Sequence, residues 1–411
     1  MTGRYRTYML LVCMLAMTGM HAQTIHPYGI SQMVLVAEEL SGTARFIGMA
    51  GAMTAVGGDP SAVKQNPAGL GIYRHSQFSV SADGCFMRYW QDGSLDKGPL
   101  YSRWHLSQAS YVFALTHPER IAGVVSNNIM LSYARRADLF SHVTLNDRSG
   151  RPAGSQNWIE TVLDENGYRN DVDFHYAMNV SNRFYWGIGM TLEWLNARQS
   201  IDRWEYTASD KRGNRQIYEL KENDFGNAVG WGGSIGVLVR PVQAFRLGLS
   251  VESPLIGRMR ETYYYSETFK RPDSAGSDVV YDSPDYNTNW QLTTPLKASA
   301  GIGLQWKNHG LLSLQYDLQY HNLVGASHTA RAAIELAFNH WMLEGGYAYT
   351  TFYALQRASV GVHYMGNWIR VGLAYNCSWS SGAVVDGVNF TRQGVMNARE
   401  NKIVLSFQWN S

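Results

Sequence analysis

The sequence predicts an all-β protein: a transmembrane antiparallel β-barrel of about fourteen strands with a small N-terminal helical plug in its lumen. Three observations predict it. Many segments of roughly nine to eleven residues alternate apolar and polar positions, with aromatics at the ends of the apolar face. The links between these segments alternate short and long. One glycine-rich piece near the N-terminus does not alternate at all.

Residues 1–22 read as a secretory signal peptide. Arg4 and Arg6 give a basic start, Met9 to Met17 an apolar run too short to anchor, and Met20-His21-Ala22 a cleavage site before Gln23. Val12 before Cys13 does not suit lipid attachment there. No later apolar run reaches the ~20 residues that a spanning helix needs. With 35 Lys and Arg against 33 Asp and Glu, the chain is almost neutral and carries no electrostatic footprint for nucleic acid. Cys85 and Cys377 remain after cleavage; they lie far apart in sequence and make no disulfide framework.

Residues 23–77 are the non-alternating piece. Ser41 or Thr43 can cap a short helix through Arg45, Met49 and Met53. Asp59-Pro60 is an N-cap followed by a first-turn proline, and Pro67 turns Asn66 away from helix, so a second short helix should end there. Glycines 48, 51, 57, 58, 69 and 71 allow close backbone approach. Such a piece suits a plug at one mouth of a barrel.

Residues 78–411 are the barrel. In Trp186 to Trp194, Trp186, Ile188, Met190, Leu192 and Trp194 share one face, against Gly187, Gly189, Thr191 and Glu193. Leu296 to Trp306, Leu311 to Tyr320, Trp231 to Val239 and Lys402 to Ser411 repeat the pattern. Sheets cross lipid only as closed barrels, so the face with Glu193, Lys297, Asp317, Arg331 and Glu335 should be the lumen. Short links are expected near 117–120, 181–183, 240–243, 307–310, 339–340 and 366–367. Long ones are expected near 140–170, 205–227, 266–290 and 376–401, with intermediate ones near Leu323 and Phe352. Short periplasmic turns and long extracellular loops put both termini in the periplasm of an outer-membrane protein. Asn410 and Ser411 after Trp409 depart from the usual aromatic end of a closing strand.

The stretch from Gly42 to Ser81, with Asn66, Pro67 and Ala68 followed by Gly69, resembles the N-terminal hatch of the FadL/TodX outer-membrane transporter family. It is most similar to versions from Bacteroidetes, some of them labelled hemin receptors. The resemblance implies a plugged fourteen-stranded barrel, a monomer without cofactor, that carries hydrophobic molecules such as long-chain fatty acids inward passively. In the family, ligand is caught at an extracellular apolar groove, passed to a luminal pocket, and released sideways by a hatch movement or an inward strand kink. A path through protein is needed because the lipopolysaccharide layer blocks hydrophobic solutes, while an apolar groove gains about 0.8 kcal/mol per buried CH₂. Candidate capture residues are Trp158, Ile159, Val162 and Leu163, at helical spacing in a long loop, and Tyr264 and Phe269 in another. The tyrosines Tyr263 to Tyr265 suit an interfacial girdle better than ligand capture.

Other functions fit less well. His75, His105, His321 and His328 are scattered, and haem ligation needs convergence. The one Gly-x-Ser-x-Gly string, Gly232 to Gly236, lies inside the alternating segment Trp231 to Val239 and not at a strand-to-helix elbow, and no His-Glu-x-x-His pair is present, so neither enzyme chemistry nor a metal site is expected. An open porin conflicts with a plug. A secretion adaptor, binding protein partners at its extracellular loops, is the alternative: loops such as Asn146 to Gly154 suit either role.

Overall fold

The computed structural model describes residues 40–91, 100–121, 123–147, 158–206, 217–270, 279–306, 309–322, 325–351, 354–385 and 394–410. The signal peptide reading and the segment 23–39 lie outside them. Two short helices come first, α1 (Ala44–Gly48) and α2 (Pro60–Gln65), then a 3-10 turn over Pro67–Ile72. The strands are β1 (Gln77–Gln91), β2 (Tyr101–Ile121), β3 (Val124–Asp138), β4 (Ser141–Asp147), β5 (Trp158–Val180), β6 (Phe184–Tyr206), β7 (Ile217–Val242), β8 (Phe245–Glu252) and β9 (Ile256–Lys270). They continue as β10 (Val279–Asp282), β11 (Tyr286–Thr293), β12 (Leu296–Trp306), β13 (Gly310–His321), β14 (Gly325–Phe338), β15 (Trp341–Thr350), β16 (Leu355–Met365), β17 (Ile369–Val385) and β18 (Gly394–Asn410).

These segments make fourteen staves of one closed antiparallel barrel. β3 and β4 both pair with β5 and form one stave. β8 and β9 both pair with β7 and form another. β10, β11 and β12 make a third against it. β18 pairs with β1 from Gln77↔Asn410 upward and closes the ring. Gln77 and Asn410 lie at the same end as the short turns; this is the turn end, and the opposite mouth is the loop end.

Side-chain alternation sets the two faces. On β6, Phe184, Ile188, Met190 and Leu192 are exposed outward, with Trp186 and Trp194 among them, while Tyr185, Thr191, Glu193 and Leu195 are buried inward. Above Trp194 the outward face turns polar, at Asn196 and Arg198. The lipid-facing band therefore ends there, although β6 continues for twelve residues to Tyr206. Asp317 and Arg331 are also buried inward, as expected for a lumen.

The long loops expected from sequence are shorter than they looked. Much of 140–170 and of 266–290 is strand, because backbone pairing across β4, β5, β9, β10 and β11 continues beyond the band and satisfies polar groups that would otherwise need water. Likewise, the residues expected to form the first short link, 117–120, lie in β2. The turn follows at Gly123, whose φ is +79°. Helix α1 stops at Gly48 and does not reach Met53, since Ala50 and Gly51 take positive φ values of 48° and 72° that end a right-handed helix.

One wall irregularity follows from proline. The register between β9 and β11, carried on to β8 and β12, sets Pro254 across from Pro295, so neither can donate to the ladder. Leu255 N donates to Thr294 Oγ1 at 2.9 Å instead, and Thr294 N to Leu255 O at 3.1 Å.

Candidate functional site

Residues 40–73 fill the turn-end half of the lumen. Thr43 caps α1, accepting from Phe46 N at 3.2 Å and donating to Asp59 Oδ2 at 2.7 Å. Asp59 in turn caps α2 through Ser61 N and Ala62 N, with Pro60 at the first helical position. Burial pushes the Asp59 carboxyl above its ordinary range, against Arg45 and these hydrogen bonds. Ile47, Met49, Met53 and Val56 pack against Leu311, Ala333, Ala374 and Val404 of the wall. Val63 and Leu70 pack against Val112, Met130 and Ala177.

Asn66 is the cross-tie of the plug. Its Oδ1 accepts from Ala68 N at 3.1 Å, and its Nδ2 donates to Thr54 O at 2.7 Å and to Val237 O on β7 at 3.3 Å. Pro67 starts the 3-10 turn, and Ala68 is buried against Tyr185 and Leu238. Gly69 passes Gly57 so closely that a Cβ on it would lie 2.9 Å from Gly57 Cα, and Gly58 N donates to Gly69 O. The wall has matching glycines. A Cβ at Gly236 would overlap Asn66, one at Gly187 would come 2.5 Å from Pro67 C, and one at Gly346 would come 2.5 Å from Met49 C. The small residues on the luminal faces are thus sockets for plug backbone.

Polar side chains of the wall tether that backbone all round. Arg331 donates to Ala50 O, Arg246 to Val56 O, Lys402 to Leu40 O, Asn179 to Gly71 O, and Asn128 to both Leu70 O and Tyr73 O. Gln315 accepts from Thr54 N and Ser406 from Ala44 N. Arg45 pairs with Glu335 at 2.7 Å, and Lys64 with Asp171 and Asp173. Burial, and then Arg136, hold the Lys64 ammonium down to about 8, against the pull of Asp173. Each hydrogen bond is worth about 0.5–1.5 kcal/mol net, and each broken one leaves a buried polar group. Expelling the plug would break them together.

Between the plug and the loop end lies a cavity of about 90 Å³, lined among others by Leu40, Phe46, Lys64, Gln108, Arg135 and Arg136. An apolar cavity of about 150 Å³ is known to hold one benzene. This cavity is therefore too small for one. Toward the loop end, Ala137, Leu139, Leu195, Ala197, Ala228, Met259 and Leu292 form a buried apolar collar across five staves, with Trp290 packed on it. Beyond the collar, the inner face of β7, β9 and β11 carries Tyr218, Tyr263 and Tyr286 beside Glu222 and Glu267. Burial raises the Glu222 carboxyl, and burial with Glu267 pushes the Tyr218 hydroxyl up to about 12.

The wall beside the collar has a gap in its ladder. β2 and β3 are paired from Thr116↔Ser126 up to Gln108↔Ala134 and no farther. Above that, Tyr101 to Ser102 and Arg103 pair only with β1, and Arg135 to Asp138 only with β5. The stave bends at Leu139-Phe140, where Leu139 N donates to Gly167 O. Side chains bridge the gap. Arg103 donates to Asp138 Oδ1 and Asn166 Oδ1, both at 3.1 Å, and lies 4.1 Å from the Phe140 ring centroid, with Tyr101 edge-on to Phe140.

The four capture residues whose side chains are described, Val162, Leu163, Tyr264 and Phe269, do not converge on one face. Trp158 to Leu163 is strand, paired residue by residue with β6, and not helix. A period of two sends Val162 outward and Leu163 inward, where it is 8% exposed. The side chains of Trp158 and Ile159 lie outside the described residues. Tyr264 faces outward, stacked on Phe225, while Phe269 faces inward, half exposed beside Tyr218. The histidines are equally dispersed: His105 pairs with Asp83, His321 contacts Thr293 O, and His328 meets the Tyr316 hydroxyl. Glu193, Glu335 and Glu344 engage Arg169, Arg45 and His363. Cys85 and Cys377 form no disulfide with each other; β18 lies between their strands, at Lys402 and Asn401, too far for a bond. The collar and the gap went unread in the sequence, since their residues come from many staves with no local pattern.

The fold is shared with solved outer-membrane transporters. A Pseudomonas aeruginosa FadL homologue aligns at 13% identity over 91% of this chain and 99% of its own, with a TM-score of 0.61. The Pseudomonas putida toluene transporter TodX aligns at 15% identity over 92% and 100%, with a TM-score of 0.58. The Ralstonia pickettii toluene transporter TbuX aligns at 14% identity over 90% and 99%, with a TM-score of 0.57. No protein-family model matches the sequence, and no curated protein does.

Proposed function

We propose that this chain is a FadL-type outer-membrane channel for the passive uptake of hydrophobic small molecules, with its termini in the periplasm. Ligand enters at the loop end, crosses the collar around Leu195, Met259 and Leu292, and leaves sideways where β2 and β3 are unpaired. The observation that carries this reading is the position of the gap. It opens beside the apolar collar, while the plug below is tied to the wall on all sides. Lateral exit requires only side-chain movement at Arg103, Phe140 and Tyr101. Exit through the plug would require breaking its whole tether.

The solved proteins of this fold include toluene transporters, which supports small aromatic hydrocarbons as ligands alongside long-chain fatty acids. The collar also weighs against a purely scaffolding role as a secretion adaptor, which has no use for a buried apolar track. The test is binding of a fluorescent long-chain fatty acid to the detergent-purified, heat-modifiable barrel, with oleate, toluene and hemin as competitors. Saturable binding displaced by oleate or toluene is expected. Displacement by hemin alone would indicate a haem receptor, and no binding to a folded barrel would refute transport.

A further inference from the structure

We propose that the outer face of the barrel, just above the lipid-facing band, binds the phosphate groups of an outer-leaflet glycolipid through Arg198, Arg258 and Arg260. This rests on the outer-membrane placement above but not on transport. The band's last outward residues on these staves are Trp194, Val229, Trp231 and Ile256, all lipid-facing. The next outward positions are Asn196 and Arg198 on β6, Asn227 on β7, and Arg258 and Arg260 on β9. Register sets Arg258 across from Val229, and Arg260 across from Asn227 on one side and Asn289 on the other.

The two β9 arginines are neighbours on one face, roughly 7 Å apart along the strand. Asn196, hydrogen-bonded to Asn227 at 2.7 Å, carries the row across to β6. Arg198 is held at 4.8 Å over the Phe225 ring, which stacks on Tyr264. Among the described residues no carboxylate is ion-paired with any of the three. The outward carboxylates nearby are engaged or farther from the band: Asp164 contacts His142, and Asp202 lies opposite Lys221.

Three guanidinium groups with no carboxylate partner among the described residues, over an apolar strip, have the complement of a phosphorylated, acylated lipid. Each fork can take a phosphate in two-point contact, while the acyl chains lie on Trp194, Trp231 and Ile256. A soluble phosphate would gain nothing from the apolar strip, so the lipid is the occupant.

The experiment titrates the delipidated barrel with purified bis-phosphorylated lipid A and follows binding by native mass spectrometry. Wild type should bind it and should discriminate against dephosphorylated lipid A. The R198Q/R258Q/R260Q variant should bind roughly a hundredfold more weakly, at about fivefold per arginine, while K221Q stays unchanged. Equal binding of the two lipid A forms by wild type would overturn the proposal without any variant. So would full binding by a triple variant that keeps its heat-shifted gel mobility. Hydrophobe binding by the triple variant should be unaffected, so the two readings stand or fall separately.

Discussion

Asn66→Ala should unseat the plug. The side chain is almost wholly buried, so no water replaces it. Losing the Oδ1 acceptor for Ala68 N removes a cap worth about 1 kcal/mol. Losing Nδ2 leaves Thr54 O without its 2.7 Å donor, a buried orphan costing about 1–3 kcal/mol. The 3.3 Å contact to Val237 O adds less, because that carbonyl belongs to a strand. The sum is roughly 2–4 kcal/mol against the seated state, or on the order of a hundredfold in the unseated fraction. The assay is ion conductance of single barrels in planar bilayers, supported by hydrogen exchange across residues 44–72. N66A should open frequently where wild type stays closed, with deeper exchange in α1 and α2. Gln65→Ala is the comparison: its side chain also reaches plug backbone, at Gly51 O, but is only partly buried. Conductance and exchange of N66A matching wild type would refute the idea that Asn66 ties the plug to itself and to the wall.

Gly236→Ala should also unseat the plug, since its Cβ would overlap Asn66, and adding N66A should relieve part of that cost; strictly additive conductance would argue against the socket. Arg103→Ala, which removes the bridge from β2 to Asp138, Asn166 and Phe140, should speed hydrophobe release into liposomes several-fold without raising ion conductance; an unchanged rate would place the exit elsewhere. Met259→Glu, burying a charge in the collar, should abolish hydrophobe binding in a barrel that still shows heat-shifted mobility. Leu163→Ala should weaken ligand entry more than Val162→Ala, because only Leu163 faces inward; equal effects, measured by fluorescent fatty-acid titration, would contradict the strand register.

The sequence by itself determined the barrel. Period-two alternation from Trp186 to Trp194 depends only on strand geometry and on a sheet with lipid outside, so it is written locally. The same holds for the caps at Thr43 and Asp59 and for the break at Asn66-Pro67, where each side chain satisfies backbone within a few residues of itself. What Asn66 does beyond its own turn was not legible, because Thr54 O and Val237 O reach it only when the chain closes on itself. The reading of residues 158–163 failed for a related reason. Four apolar residues in six fit a helix face, and only pairing with β6 made them a strand and split Val162 from Leu163. The collar brings Leu139, Leu195, Met259 and Leu292 together from staves far apart in sequence, and the gap exists because a ladder between β2 and β3 stops at Ala134. Register between staves is a property of the closed ring. Tertiary structure alone decided where the collar and the gap lie.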